Sequence, residues 1–90
     1  MSVVDNVARS RFEYLVDGHT AFIAYRRTPG VIALTHAEVP PEIEGRGVGS
    51  QMAREVLDAI RASGEKVIPQ CSFVEAFIRR NAEYQDLLSK

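Results

Sequence analysis

The chain has 90 residues, 46% of them apolar, with four Phe, three Tyr and no Trp; this supports one compact core, since a domain so small buries only about 60% of the surface its unfolded chain exposes. Eleven Lys and Arg against twelve Asp and Glu leave a net charge of −1, so no overall basic field draws in nucleic acid or anionic lipid, and any anion site has to be local. One cysteine, Cys71, excludes an intramolecular disulfide, and two histidines with that cysteine give no closed four-ligand zinc site unless carboxylates or a second chain join, so no metal is expected and a reducing cytoplasm is the natural compartment.

The N-terminal stretch Met1-Ser2-Val3-Val4-Asp5-Asn6 lacks the charged start and long apolar run of a secretory peptide. The longest unbroken apolar run, 21–25, falls far short of the roughly 20 residues a membrane helix requires. With no internal repeat, low-complexity tract or linker, residues 1–90 read as a single soluble domain.

Phe12, Tyr14 and Val16 alternate with Arg11 and Glu13, a period of two that predicts a strand over Arg11–Val16 with one buried face. Asp17-Gly18 follows, and glycine at the second turn position accepts the positive φ of a two-residue hairpin. The next strand is predicted over 19–27, Pro29-Gly30 makes a second reversal, and a third strand runs over 31–39. Pro40-Pro41 ends it, because proline cannot donate to a sheet ladder.

From Val48 onward, Val48, Met52, Ala53, Val56, Leu57 and Ile60 recur at helical spacing, with Gln51, Arg54, Glu55, Asp58 and Arg61 on the other side. This predicts an amphipathic helix over 48–60 lying on the sheet. Gly64 suits a left-handed cap, and Lys66-Val67-Ile68-Pro69 a short strand of buried type. Ser72-Phe73-Val74-Glu75 has the spacing of a capping box, in which the Ser72 hydroxyl accepts from the Glu75 N–H and the Glu75 carboxylate from the Ser72 N–H. A second helix is therefore predicted from Ser72 to about Arg80, ended by Asn81, with one or two further helical turns over 82–88. The order strand, strand, strand, helix, strand, helix predicts a mixed α+β fold: three antiparallel strands, then a strand–helix–strand crossover, with helices packed on a mixed sheet.

The most informative stretch is Glu44-Gly45-Arg46-Gly47-Val48-Gly49-Ser50, a glycine-rich turn between a strand and a helix start. Glycines at every second position let the backbone approach a ligand closely. Unpaired N–H groups of the first helical turn, reinforced by the helix dipole, then make a site for a phosphate or diphosphate. Arg46 adds a local positive charge. A tight turn without ligand is the alternative for three glycines taken alone. A nucleotide-triphosphate loop needs Lys-Ser or Lys-Thr after its last glycine, where this chain has Ser50-Gln51. A dinucleotide fingerprint needs two further residues before its third glycine and an acidic residue on the next strand, and neither is present.

Val39-Pro40-Pro41-Glu42 leading into Gly45-Arg46-Gly47-Val48-Gly49 resembles the acetyl-coenzyme A signature of the GNAT superfamily of N-acetyltransferases, in which Gln or Arg is followed by two residues, Gly, one residue, and Gly or Ala. Thr35-His36-Ala37-Glu38-Val39-Pro40 before the loop, and Lys66-Val67-Ile68-Pro69-Gln70-Cys71-Ser72-Phe73-Val74 after the helix, resemble the minimal GNAT-like family labelled YjdJ-type. The likeness extends over essentially the whole chain. It implies acetyl-coenzyme A as cosubstrate, a cleft between diverging parallel strands that grips the pantetheine arm, and the pyrophosphate on the amides of 47–50. Val39, Gly45, Arg46, Gly47, Val48, Gly49 and Ser50 are the coenzyme-binding residues so implied. Two positions depart from the pattern. Glu44 stands where the family favours Gln or Arg, which removes a phosphate contact and sets a like charge there, and Ala82 stands where the minimal family has Pro before Glu83-Tyr84.

Acetyl transfer requires a neutral amine, a polarised thioester carbonyl and protonation of the departing thiolate. His36 is the candidate base, since free imidazole titrates at about pH 6.5. Alternation puts Glu38 on the same strand face, where it orients the imidazole or acts through water. By the resemblance, Cys71 and His36 form the active-site pair. Cys71 falls at a helix start, a position that favours a thiolate. Two roles stay open for it: an acetyl-enzyme intermediate, or lining of the thioester pocket during direct attack by the amine, as in most of the superfamily. The plain alternative is a buried small hydrophobe.

His19 reads as a surface residue, Arg79-Arg80 as charges meeting the helix dipole rather than a coenzyme phosphate, Phe73, Phe77 and Tyr14 as core, and Tyr84 as packing more than as proton donor. The expected function is acetyl-coenzyme A-dependent N-acetylation of a primary amine, on a peptide or protein lysine or a polyamine, because the chain has no residues for the N-terminal helices with which larger relatives wall the acceptor. A non-catalytic acyl-coenzyme A-binding module is the alternative, and a structural partner domain a third. No nucleic acid or membrane partner is expected, and the chain is read as a monomer or weak homodimer.

Overall fold

The structure, a computed structural model, describes residues 3–89. Among these, Val4–Asn6 (β1), Arg11–Val16 (β2), His19–Thr28 (β3), Val31–Glu38 (β4) and Lys66–Pro69 (β5) are hydrogen-bonded in that order into one sheet, accompanied by helices Val48–Ser63 (α1) and Ser72–Arg80 (α2). Both predicted reversals form. Asp17 and Gly18 have φ of 48° and 77°, and Val16 faces His19, as a two-residue hairpin with the right-handed strand twist demands. Pro29-Gly30 also joins Thr28 to Val31 in two residues, here with positive φ at Gly30 alone (79°) because the proline ring holds φ negative. The crossover through α1 makes β4 and β5 parallel, with Leu34 opposite Pro69 as their last pair.

Two local expectations need correction. The sequence predicts three antiparallel strands and the structure has four, because β1 pairs with β2. Val4-Asp5-Asn6 is exposed apart from Asn6 and carries no alternation of its own. It is held by residues distant in sequence: the Tyr25 hydroxyl donates to Asp5 at 2.6 Å, Arg27 pairs with Asp5 at 3.2 Å, and the preceding Val3 N–H donates to Glu55 at 3.0 Å. The Ser72–Glu75 capping box does not form. The Cys71 N–H donates to the Leu34 carbonyl at 2.9 Å and holds Cys71 extended (φ −75°, ψ 124°), so Cys71 becomes the N-cap and Ser72 is already helical. The Glu75 N–H then donates to the Cys71 carbonyl at 3.0 Å, and the Glu75 carboxylate accepts from Arg79 at 3.4 Å. The helix predicted over 48–60 runs three residues further, to Gly64 as a left-handed cap with φ 80°, and 82–87 forms a 3-10 helix.

The register of β4 against β3 shifts once. Leu34 pairs with Tyr25 and His36 with Ala24, leaving Thr35 as an extra residue whose hydroxyl donates to the Ala24 carbonyl at 3.3 Å. The insertion reverses the alternation. Before it, Ile32 and Leu34 point to the helices; after it, Ala37 and Val39 pack on the core, while His36 and Glu38 share the opposite face with Ala24 and Phe22.

The inward residues of the sheet, including Phe12, Tyr14, Ile23, Ile32, Leu34 and Val67, form one buried cluster with Met52, Val56, Leu57 and Ile60 of α1 and Val74, Phe77 and Ile78 of α2. Both helices therefore cover the same face, and the other face of the sheet is open. Each fully buried aliphatic side chain contributes about 1.5–3 kcal/mol. Leu57→Ala is accordingly expected to cost about 2–5 kcal/mol out of the roughly 5–15 kcal/mol typical of a domain. Leu15→Ala, on the open face at 57% exposure, is expected to change stability by less than about 0.5 kcal/mol. Urea unfolding of the two variants checks both values.

Candidate functional site

Two prolines stop β4 and turn the chain over the end of the sheet. Pro41–Ile43 makes one 3-10 turn, whose buried Ile43 anchors it and whose Ile43 N–H donates to the Pro40 carbonyl at 3.1 Å. Gly47 then caps α1 with φ 74°, a left-handed conformation that costs a residue with a side chain about 1–2 kcal/mol. The first helical bond runs from the Gln51 N–H to the Gly47 carbonyl at 3.1 Å, and no side chain caps the turn. The amides of Val48, Gly49 and Ser50 thus precede the helical ladder and are free to meet an anion at the positive end of the helix dipole.

These residues open into a cavity of about 320 Å³ lined by Val39, Ile43, Glu44, Gly45, Gly47, Val48, Gly49, Ser50 and Phe73. Gly49 is the tight point: a Cβ there would lie 3.1 Å from the Phe73 ring and 3.7 Å from a Val39 methyl. The structure therefore brings together every sequence-predicted coenzyme residue except Arg46, whose guanidinium pairs with Asp17 at the tip of the β2–β3 hairpin. Arg46 holds the Asp17 carboxyl below the usual carboxylate range. Glu44 also lines the cavity. Phe73, read from the sequence as core, is the residue that wall needed and sequence reasoning missed. Its only local signal was its place two residues after Cys71.

His36 and Glu38 lie beside each other on the open face, with imidazole Nε2 3.5 Å from the Glu38 carboxylate and the ring 6.1 Å from that of Phe22. Both side chains are more than 60% exposed. Cys71 sits elsewhere, buried at the N-cap of α2 where the β4–β5 pairing ends. No hydrogen bond among the described residues joins it to His36. Tyr84 is committed to packing: it is buried, its hydroxyl donates to Asp58 at 2.8 Å, and burial pushes its phenol pKa up. His19 is surface-exposed beside Glu42. A wider cavity of about 490 Å³ opens between Pro69, α2 and the C-terminal segment, but Glu75 and Arg79 on its wall already pair with each other. Among the described residues no group of three or more His, Cys, Asp and Glu is placed to hold a metal ion, and no helix is long and apolar enough to cross a membrane.

The family model described as GCN5-related N-acetyl-transferase matches residues 11–87. The NMR solution structure of a Staphylococcus aureus protein described as GCN5-like superposes with a TM-score of 0.73 at 26% identity, covering 98% of this chain and 87% of that one. No curated protein matches the chain.

Gly49→Ala forces the Phe73 ring back by a few tenths of an ångström and narrows the cavity without demanding a forbidden backbone. It is expected to leave the melting temperature nearly unchanged and to weaken the coenzyme A binding that the sequence resemblance implies about tenfold, equivalent to about 1.4 kcal/mol. Gly47→Ala strains the cap itself and is expected to lower both stability and affinity. Calorimetric titration alongside thermal melts distinguishes the two patterns.

Proposed function

The chain belongs to the GCN5-related N-acetyltransferase family, and we propose that it transfers the acetyl group of acetyl-coenzyme A to a primary amine. The observation that carries this reading is the cavity at the start of α1, where the amides of Val48, Gly49 and Ser50 face a space walled by Val39 and Phe73 with no side-chain cap competing for them. Backbone donors at a helix N-terminus fit a diphosphate, and the missing Cβ at Gly49 is what lets the Phe73 ring close the cavity wall against them. Acetyl-coenzyme A supplies the activated thioester, and the chain supplies the placement and the proton transfers.

The β4–β5 pairing ends at Leu34 and Pro69, and the thioester end is proposed to lie there, near Cys71. His36, braced by Glu38 at 3.5 Å, takes the proton of the ammonium group. The amine nitrogen then bonds to the carbonyl carbon, the carbon–sulfur bond breaks, and the second proton that the nitrogen loses on becoming an amide passes to the departing thiolate, which leaves as free thiol. Cys71, buried at the N-cap, lines the thioester pocket while the amine attacks directly. A free thiol of this kind suits a reducing compartment.

The Glu44 carboxylate on the cavity wall favours a second reading, an acyl-coenzyme A-binding module without turnover, because a like charge weakens coenzyme binding. Glu44→Gln is expected to tighten coenzyme A binding about fivefold, the effect of removing about 1 kcal/mol of repulsion.

Release of free thiol in the presence of a panel of amines separates the two readings. Turnover is expected with the wild-type chain. His36→Ala should lower it about 10²–10⁴-fold with coenzyme affinity little changed, and Cys71→Ala should lower it as well. Coenzyme binding with no thiol release from any amine would favour the binding module.

A further inference from the structure

On the other side of Val39 from the loop cavity lies a second one, of about 330 Å³, lined by Thr20, Phe22, Glu38, Val39, Pro40 and Pro41. We infer that this cavity is the acceptor subsite and that it takes a primary alkylammonium group carried on a slender, uncharged chain; the inference rests on the acetyl-transfer reading above.

Placement supports it first. The two cavities share Val39 as a wall, so the cavity on the open face adjoins the proposed coenzyme cavity across one side chain. The register supplies the second argument. Phe22 is the cross-strand partner of Glu38 and Ala24 of His36, which sets the Phe22 ring, the Glu38 carboxylate and the His36 imidazole side by side on one sheet face. An ammonium held by Glu38 is then next to the group that removes its proton.

The lining decides the chemistry. Glu38 is its one charged residue, and Phe22, Val39, Pro40 and Pro41 present carbon. Pro40 and Pro41 have no backbone N–H, so that wall offers nothing to a carboxylate or carbonyl oxygen. Neighbouring cations are already engaged. Arg11 lies over the Phe22 ring at 4.4 Å but is bridged to Glu13 at 2.6 Å, and His19 faces Glu42 at 3.9 Å. The cavity is built to attract a cation with a methylene stem and to reject a molecule whose far end is anionic.

The test compares 1,4-diaminobutane, 4-aminobutyrate and an end-capped lysine peptide as acceptors, with Thr20→Arg as the variant. Thr20 is exposed, so a longer side chain is tolerated there, and its guanidinium reaches Glu38 without itself being a substrate. The diamine and the lysine peptide are expected to react with 4-aminobutyrate at least about tenfold poorer in kcat/KM. Thr20→Arg is expected to raise KM for both good acceptors about tenfold, the loss of one charge-assisted contact, with coenzyme A affinity unchanged. Whichever of the two has the lower KM identifies the source of the amine. Equal use of 4-aminobutyrate, or a KM unmoved by Thr20→Arg, overturns the assignment.

Binding is read separately from turnover by titrating diaminobutane into the coenzyme A-loaded wild-type protein and following amide resonances. Shifts at Thr20, Phe22 and Glu38 are expected. Shifts without turnover would sink the transfer reading and leave the subsite standing, whereas turnover without shifts at these positions would sink the subsite.

Discussion

A single inserted residue, Thr35, fixes how this molecule presents its chemistry. Without it, β4 would keep one alternation to its end, and His36 and Glu38 would follow Ile32 and Leu34 into the helix-covered face. A carboxylate there would lose its hydration for no ion-pair partner, a cost of several kcal/mol, while Ala37 and Val39 would be turned to water. The bulge removes that conflict and is held from both sides. Thr35 donates to the Ala24 carbonyl at 3.3 Å, and the adjacent Leu34 carbonyl accepts from the Cys71 N–H at 2.9 Å. The parallel pairing of β4 with β5 also ends at Leu34, so the change of face and the end of that pairing occur at the same place.

Charge is arranged around this frame so that the loop relies on its backbone. Arg46, the one cation within the glycine-rich turn, is drawn to Asp17 on the neighbouring hairpin, and Glu44 lines the cavity. In the proposed coenzyme site the attraction for an anion then comes from three amides and a helix dipole, whose geometry is fixed by φ at Gly47 and by the space beside Gly49. An exposed Arg–Asp pair contributes little to stability and exchanges readily with solvent. The pair links the hairpin tip to the loop.

Local chemistry made most of the fold legible. Asp17-Gly18 and Pro29-Gly30 each demand a reversal through their own backbone preferences, and the spacing of Met52, Val56 and Ile60 specifies a helix and its buried side. The glycine-rich turn could be placed at a helix start for the same reason. What escaped is long-range. β1 depends on Tyr25, Arg27 and Glu55 reaching back to it, and no pattern in Val4-Asp5-Asn6 announces that. The capping box at Ser72 was a sound local inference, and it lost to one hydrogen bond from Cys71 to β4. Phe73 reads as core by composition and becomes a cavity wall only because Gly49 is brought against it. The alternation argument placed His36 and Glu38 together correctly, but not which face they share, because one residue of insertion decides that and the hydrophobic pattern does not mark it.

Packing both helices on one face of the sheet has a consequence for how a short chain can hold two ligands. The helix-covered face supplies the free amides at the start of α1 and the aromatic wall from α2, so it suits the larger, anionic ligand. The open face has only what the strands and the turn after them can offer. Pro40 and Pro41 serve both sides at once: lacking N–H groups, they end β4 so that the chain can rise to the loop cavity, and they leave the neighbouring cavity walled by carbon with Glu38 as its single charge. The proposed selectivity for a cation on the open face therefore follows from the same two residues that shape the proposed anion site on the other face.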